Sequence, residues 1–208
     1  MAVRRSVRTV ETSAGTARVH RATPTGASTR PLLVLGHGAG GGVEAGDLQQ
    51  VSVAVLRAGF GVVLVDQPWR VAGRRIAPRP ATLDVAWVEV LGRLRHRGPL
   101  LVGGRSAGAR VACRTAEELG AVGVVALAFP LHPPGRPEAS RAHELSDAGR
   151  PVLVIQGDRD PFGTAEEIEV QAPSIRVVTV VGGDHSLVRG DLGVALPSVI
   201  DFLRGFVE

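Results

Sequence analysis

Six short runs of this chain are apolar at nearly every position, and stretches of helical length separate them. The runs are RPLLVLGHG (30–38), FGVVLVD (60–66), GPLLVGGRS (98–106), VGVVALAF (122–129), RPVLVIQGD (150–158) and IRVVTVV (175–181). A run without apolar–polar alternation suits a strand buried on both faces, so these predict a parallel sheet covered by helices. Helices are predicted over 47–58, 81–95, 107–119, 164–171 and 192–206, with Pro197 starting or kinking the last. Residues 7–22 predict a hairpin turning at Ala14-Gly15. Strand and helix then alternate from Leu32 to the end, which is the grammar of an α/β fold. A length of 208 residues suits one domain, taken as 1–208.

Open α/β sheets carry their chemistry in the crevice at the carboxyl ends of the strands. The three Pro-led runs deposit His37, Ser106 and the pair Asp158 and Asp160 at that edge. One segment does not follow the pattern: PLHPPGRPEASRAHELSDAGR (130–150) is rich in Pro and charge and crosses between two strands. It is too short for a substantial lid, so an open site is expected.

Composition changes this picture little. The chain is 44% hydrophobic and 21% charged, a globular mixture, and its 3% aromatic content leaves Val, Leu, Ala and Gly to fill the core. A sequence pI of about 11.0 suggests a nucleic-acid partner. The formal charge is only +4, however, and with no Lys and no Tyr the high pI reflects arginine usage rather than a strong basic field. Arg93, Arg95 and Arg97 therefore read as a solvated helix end, and no nucleic acid is expected as partner. Cys113 is the single cysteine, which excludes an intrachain disulfide and a cysteine metal cluster. The first twenty residues have no apolar central region and no apolar stretch reaches about 18 residues, so a soluble, cytoplasmic protein without membrane contact is expected.

The sharpest chemical signal is GGRSAGAR (103–110), where Ser106 lies between a predicted strand and a predicted helix. A serine on so tight a turn is exposed, and the following helix directs free N–H groups and its positive end towards it. Gly104 and Gly108, two residues either side, allow the chain to pass close by. A serine hydroxyl needs a base, and the base an orienting carboxylate. Of six histidines, His185 in GGDHS follows the last strand, whereas His20, His96 and His143 read as surface residues. QGDRDPFG (156–163) supplies two acids between serine and histidine. Asp158 sits at the strand end as a turn residue would, while Pro161 restricts the backbone of Asp160, so Asp160 is the preferred partner of His185. Two N–H donors for a tetrahedral oxyanion are expected from Ala107, after the nucleophile, and from Ala39 in HGAGGG (37–42).

HGAG, GGRSAG, GDRDPFG and GGDHS, in this order, resemble the α/β-hydrolase superfamily in its small, lidless, dienelactone-hydrolase-like branch. The likeness spans 32–207, and LHPPGRP (131–137) resembles a segment of a subgroup that includes a hydrolase-like subunit of a chromatin acetyltransferase complex. It implies an α/β-hydrolase fold with helices on both faces of a mostly parallel sheet and no substantial lid. It further implies Ser106 as nucleophile, Asp160 as acid, His185 as base and the 37–40 loop as oxyanion support, without cofactor or metal. The substrate expected is a small acyl compound, an ester or thioester. His37, Trp69, Arg105, His132 and Phe162 are the candidate substrate contacts, Trp69 and Phe162 as apolar wall and His132 approaching from the crossing. DQPWRVAGRRIAPRP (66–80) carries four arginines that suit an anionic group on the substrate or plain solvation.

Two other classes compete. Gly36 to Gly41 also fits G-x-G-x-x-G after a strand, with Asp66 ending the next, as in a dinucleotide-binding oxidoreductase. That reading leaves Ser106, the acid loop and His185 without a role. The second is a binding protein on a hydrolase fold that has lost turnover. A phosphate-loop nucleotidase is excluded, because its motif lysine does not exist here.

Overall fold

The computed structural model describes residues 2–27 and 29–207. An amino-terminal hairpin, β1 (Val3–Thr12) and β2 (Gly15–Pro24), turns where the sequence predicts it, with each strand longer than expected. The six apolar runs form β3 (Leu32–Gly36), β4 (Gly61–Asp66), β5 (Leu100–Arg105), β6 (Gly123–Leu127), β7 (Val152–Gly157) and β8 (Arg176–Val180). Together they make one eight-stranded sheet in the order β1-β2-β4-β3-β5-β6-β7-β8. β2 pairs antiparallel with both β1 and β4, and the strands β3 to β8 are all parallel to one another.

The helices are α1 (Gly46–Arg57), α2 (Pro68–Val71), α3 (Pro80–Leu91), α4 (Ala107–Thr115), α5 (Ala142–Ser146), α6 (Ala165–Gln171) and α7 (Leu196–Arg204). The short α2 and α5 were not expected from periodicity, being too brief to show it. The predicted 192–206 helix is split: Leu192–Val194 is a 3₁₀ turn, and Pro197, with no N–H to donate, opens α7 in its first turn.

Because side chains alternate along a strand, each central strand feeds two cores. Leu33 and Leu35 of β3 join Leu48, Val51 and Val55 of α1 and Val199 and Leu203 of α7 on one face. Leu32 and Val34 join Trp87 of α3 and Ala109 and Ala112 of α4 on the other. Positions 48, 51 and 55 of α1 fall on one helical stripe, and each such side chain contributes about 1.5–3 kcal/mol on burial. The small residues of α4 let it lie close over the middle of the sheet, which brings its first turn to the end of β5.

Between β6 and β7, residues 130–150 contain only the one-turn α5 and form no lid domain. Leu131 and His132 are buried, and the His132 N–H donates to the Phe162 carbonyl at 3.0 Å. The crossing is thus fastened to the loop after β7 instead of arching over the site. The dinucleotide reading fails on local geometry: nine residues, 37–45, separate β3 from α1, so no tight glycine turn leads directly into a helix.

Candidate functional site

Ser106 stands where β5 becomes α4, with φ 52° and ψ −115°. This is a strained backbone for a residue with a Cβ, costing about 1–3 kcal/mol, and the surrounding packing enforces it. A Cβ on Gly104 would fall 2.5 Å from the Gly36 carbonyl oxygen and 2.7 Å from the Gly108 backbone, and one on Gly108 would meet the same oxygen at 2.5 Å. Only hydrogen fits at either place. The pairing of Gly36 with Gly104 lays the 37–42 loop beside the turn, where Gly38 lies close against the Ser106 Cβ.

His185 Nε2 lies 2.9 Å from Ser106 Oγ, and His185 Nδ1 lies 2.8 Å from Asp160 Oδ2. With a carboxylate as its partner Nδ1 must be the donor, which leaves Nε2 free to accept the serine proton. Asp160 is only 2% exposed. Its Oδ1 accepts the Phe162 N–H at 2.8 Å, and its Oδ2 also accepts an N–H of Gln156 at 3.0 Å. Gln156 is fully buried and has both ends engaged: Oε1 accepts from the Phe129 N–H at 2.8 Å, and Nε2 donates again to the Gly163 carbonyl at 2.6 Å. The phenyl ring of Phe162 rests on the imidazole, with centroids 4.2 Å apart. Asp158, the rival acid, is exposed.

The loops carrying the acid and the base are joined through their backbones. The Arg159 N–H donates to the Gly183 carbonyl at 3.0 Å, and any Cβ at Gly157 would collide with that oxygen. Asp184 turns the next residues by accepting from the Ser186 hydroxyl and, at 2.9 Å, from the Ser186 N–H, and those bonds hold its carboxyl below the usual range. Arg105 reaches across from the nucleophile turn: Nε meets Asp47 Oδ2 at 2.7 Å and NH2 donates to the His185 carbonyl at 2.8 Å. Burial raises the Asp47 pKa, against the pull of the Arg105 guanidinium.

Opposite the histidine, the loop 37–42 is fixed by His37. Its Nε2 accepts the Gln67 N–H at 3.0 Å, so Nδ1 carries the proton and donates to the Gly38 carbonyl at 2.8 Å. Burial is the main cause of a pKa below the ordinary histidine value, which keeps the ring neutral. Ala107 is the first residue of α4, where N–H groups have no partner in the helix ladder. The Ala39 N–H donates to no other group among the described residues.

Ser106, Asp160 and His185 thus lie together, with Phe162 against the imidazole. Of the other candidate contacts, Trp69 lines a small buried cavity next to Ala39 and Ala107 and tilts against His37. His37 and Arg105 turn inward to hold loops. His132 is buried with Nδ1 2.9 Å from the Pro133 carbonyl and Nε2 3.3 Å from Glu167, which caps α6 by accepting from the Thr164 N–H. It clamps the crossing to that helix. Arg74, Arg75 and Arg79 are exposed, and Arg70 pairs with Glu44 at 2.9 Å. His20, expected at the surface, pairs with Asp66 at 2.9 Å. Burial pushes the Cys113 thiol up to about 12, which removes it as a nucleophile. Among the described residues no group of three His, Cys, Asp or Glu side chains is arranged for a metal ion, and no helix is long and apolar enough to cross a membrane. Sequence reasoning missed Gln156, Asp47, Gln67 and Trp87. A signal existed for the first alone: a lone amide ending a strand otherwise apolar on both faces.

The family model described as an alpha/beta hydrolase domain matches residues 29–194. No curated protein sequence matches the chain. Among solved structures, XC6422 of Xanthomonas campestris, described as an α/β serine hydrolase without lid, is 18% identical with a TM-score of 0.75, covering 100% of this chain and 95% of that one. The dienelactone hydrolase of Anabaena variabilis is 18% identical over 100% of both chains, with a TM-score of 0.77. Est1E of Butyrivibrio proteoclasticus, solved with ferulic acid bound, is 16% identical over 96% of this chain and 98% of that one, with a TM-score of 0.75.

Proposed function

The chain belongs to the α/β-hydrolase domain family, and from that premise we propose that it is a serine hydrolase cleaving a carboxylic ester or thioester of a small substrate through an acyl-enzyme. The observation that carries the proposal is the unbroken line from Asp160 through His185 to Ser106, at 2.8 Å and 2.9 Å. In the first half-reaction the Ser106 Oγ–H proton passes to His185 Nε2 while Oγ bonds to the acyl carbon. The carbonyl oxygen takes the negative charge, and the N–H groups of Ala39 and Ala107 stabilise it together with the α4 dipole. Collapse breaks the bond to the leaving group, which takes the proton from His185. Water then repeats the sequence: it gives a proton to His185, attacks the acyl carbon and releases the acid, and the proton returns to Ser106.

Asp160 fixes the imidazole tautomer and stabilises the imidazolium formed in each half. The absence of a lid domain from 130–150 suits a small, open-access substrate. The names of the structural relatives, a serine hydrolase without lid and a dienelactone hydrolase, support the same reaction class.

Fluorophosphonate treatment followed by intact-mass measurement tests the reading. One adduct is expected on the wild type together with turnover of p-nitrophenyl acetate, and both should vanish in Ser106→Ala. An adduct that persists in the variant, or a wild type inert to both reagents, refutes it; the latter result would leave a binding protein on a hydrolase fold.

A further inference from the structure

His185 lies in the irregular loop after β8, behind Gly182 and Gly183. Among the described residues its backbone takes part in one hydrogen bond, in which Arg105 NH2 donates to the His185 carbonyl at 2.8 Å. Two positions on, the buried Leu187 holds φ 58°, a left-handed conformation that costs energy for a residue with a side chain. The turn bonds of Asp184 shape the residues after the base. The hold on the peptide of His185 itself comes from outside the loop.

Arg105 suits that task because it is the last residue of β5 and the immediate neighbour of Ser106. A contact made from there is referenced to the strand that carries the nucleophile. Its Nε stands 2.7 Å from Asp47 Oδ2 at the start of α1, a contact of charges, since that oxygen has no donor in line with it. Asp47 is 1% exposed, and its Oδ1 accepts the Leu48 N–H at 2.8 Å, so the anchor is itself fixed. On a third side NH1 packs against Gly38, where a Cβ would come within 2.9 Å of it. A planar guanidinium serves several partners in one fixed geometry, which an ammonium does not.

We propose that Arg105 is a positioning residue for the hydrolytic reaction: anchored on Asp47, it holds the backbone of His185 in register with Ser106, so that Nε2 stays within proton-transfer distance of Oγ. Arg105 meets no substrate in this role. The inference rests on the hydrolase reading of Ser106. To Asp160, which orients the ring, it adds a group that places the main chain from which the ring extends.

The test is the split between kcat and KM for p-nitrophenyl acetate, on variants whose melting curves show them folded. Arg105→Met removes every N–H donor and keeps most of the stem. The base serves both half-reactions, so both should slow together. The value of kcat should fall about 10- to 100-fold, the scale of a displacement near 1 Å, with KM within about twofold of wild type. Arg105→Met also leaves the Asp47 carboxylate buried without its cation. Asp47→Leu combined with Arg105→Met removes the whole pair, which folded proteins tolerate far better, and it should show the same fall. Three results overturn the proposal. The first is an unchanged kcat in both variants. The second is a fall confined to the single variant, which traces the loss to the stranded Asp47 charge. The third is a KM that rises at constant kcat, which makes Arg105 a substrate contact.

The proton between His185 Nδ1 and Asp160 reports on the same hold without turnover. Its downfield magnetic resonance signal, identified by its loss in His185→Gln, should broaden or vanish when the pair is removed. That response beside a wild type that hydrolyses no ester would sink the hydrolase reading and uphold the role of Arg105. An unaltered signal beside ordinary wild-type turnover and unchanged kcat would overturn the role and leave the reading intact.

Discussion

On the His185 side of Ser106, every polar side-chain atom of Asp160 and Gln156 is engaged. On the Ala39 side, Gln67 Oε1 and Trp87 Nε1 are buried without a partner among the described residues. The two regions are similarly enclosed and differ in polar satisfaction. Full satisfaction holds groups in one geometry, as the proposed proton transfer from Ser106 to His185 over 2.9 Å requires. The difference separates a side held by a closed hydrogen-bond network from one where two buried polar atoms pair with nothing among the described residues.

Breaking the satisfied side at its centre should have the largest effect. Asp160→Asn puts an amide where the carboxylate accepts from Nδ1, so it favours the wrong imidazole tautomer and cannot stabilise imidazolium. Ester turnover should fall by about 10⁴, the cost of this change in a serine-protease triad, with folding retained. Asp158→Asn, at an exposed position, should change kcat little. Steady-state kinetics on the purified, folded variants decides, and the reverse ranking would move the acid to Asp158.

One step further out the effect should be smaller and should fall mostly on stability. Gln156→Leu leaves the Phe129 N–H without its partner in the core and removes one of the bonds to Asp160 Oδ2. Unfolding in urea should show a loss of about 1–3 kcal/mol, the cost of a stranded buried polar group. Turnover should drop less than in Asp160→Asn, because Phe162 N–H still holds the carboxylate. Undiminished stability would show that the buried amide is dispensable.

The smallest effect concerns the loop on the Ala39 side and depends on pH. His37 has its folded pKa lowered by burial, so the unfolded chain binds the proton more readily. Stability from this group is present above the unfolded value of about 6.5 and declines as pH falls towards the lower folded value, at up to about 1.4 kcal/mol per pH unit. His96, also lowered by burial, adds to the same trend. Melting temperatures between pH 7.5 and 5 should therefore fall in the wild type and fall less steeply in His37→Gln. Equal slopes would mean that His37 takes no part in the acid response.

The contrast between the two sides also explains what could be read from the chain alone. Ser106 announces itself because a nucleophile turn needs glycine at 104 and 108, and that demand is written in adjacent letters. Asp160 and His185 follow from their positions after β7 and β8. Arg105 could be seen as a residue beside the serine but not as one held by Asp47 and the His185 carbonyl, because those partners come from α1 and the loop after β8. His132 looked available to the site from the crossing and is instead held near Glu167, 35 positions away. Trp87, an apolar member of an apolar helix, carried no chemical signal at all.

The sequence by itself determined the alternation of strand and helix, the carboxyl edge on which polar residues gather, and the identity of the serine turn. Each of these depends on interactions within a few residues, where periodicity and the absence of a Cβ have direct steric meaning. Only the tertiary structure decided that His185 reaches Ser106 across 79 positions, that Gln156 closes the network behind Asp160, and that Gln67 Oε1 and Trp87 Nε1 are buried with no partner among the described residues. Whether a polar atom is satisfied depends on what the sheet and helices bring against it, and residues that meet only in space leave no local pattern.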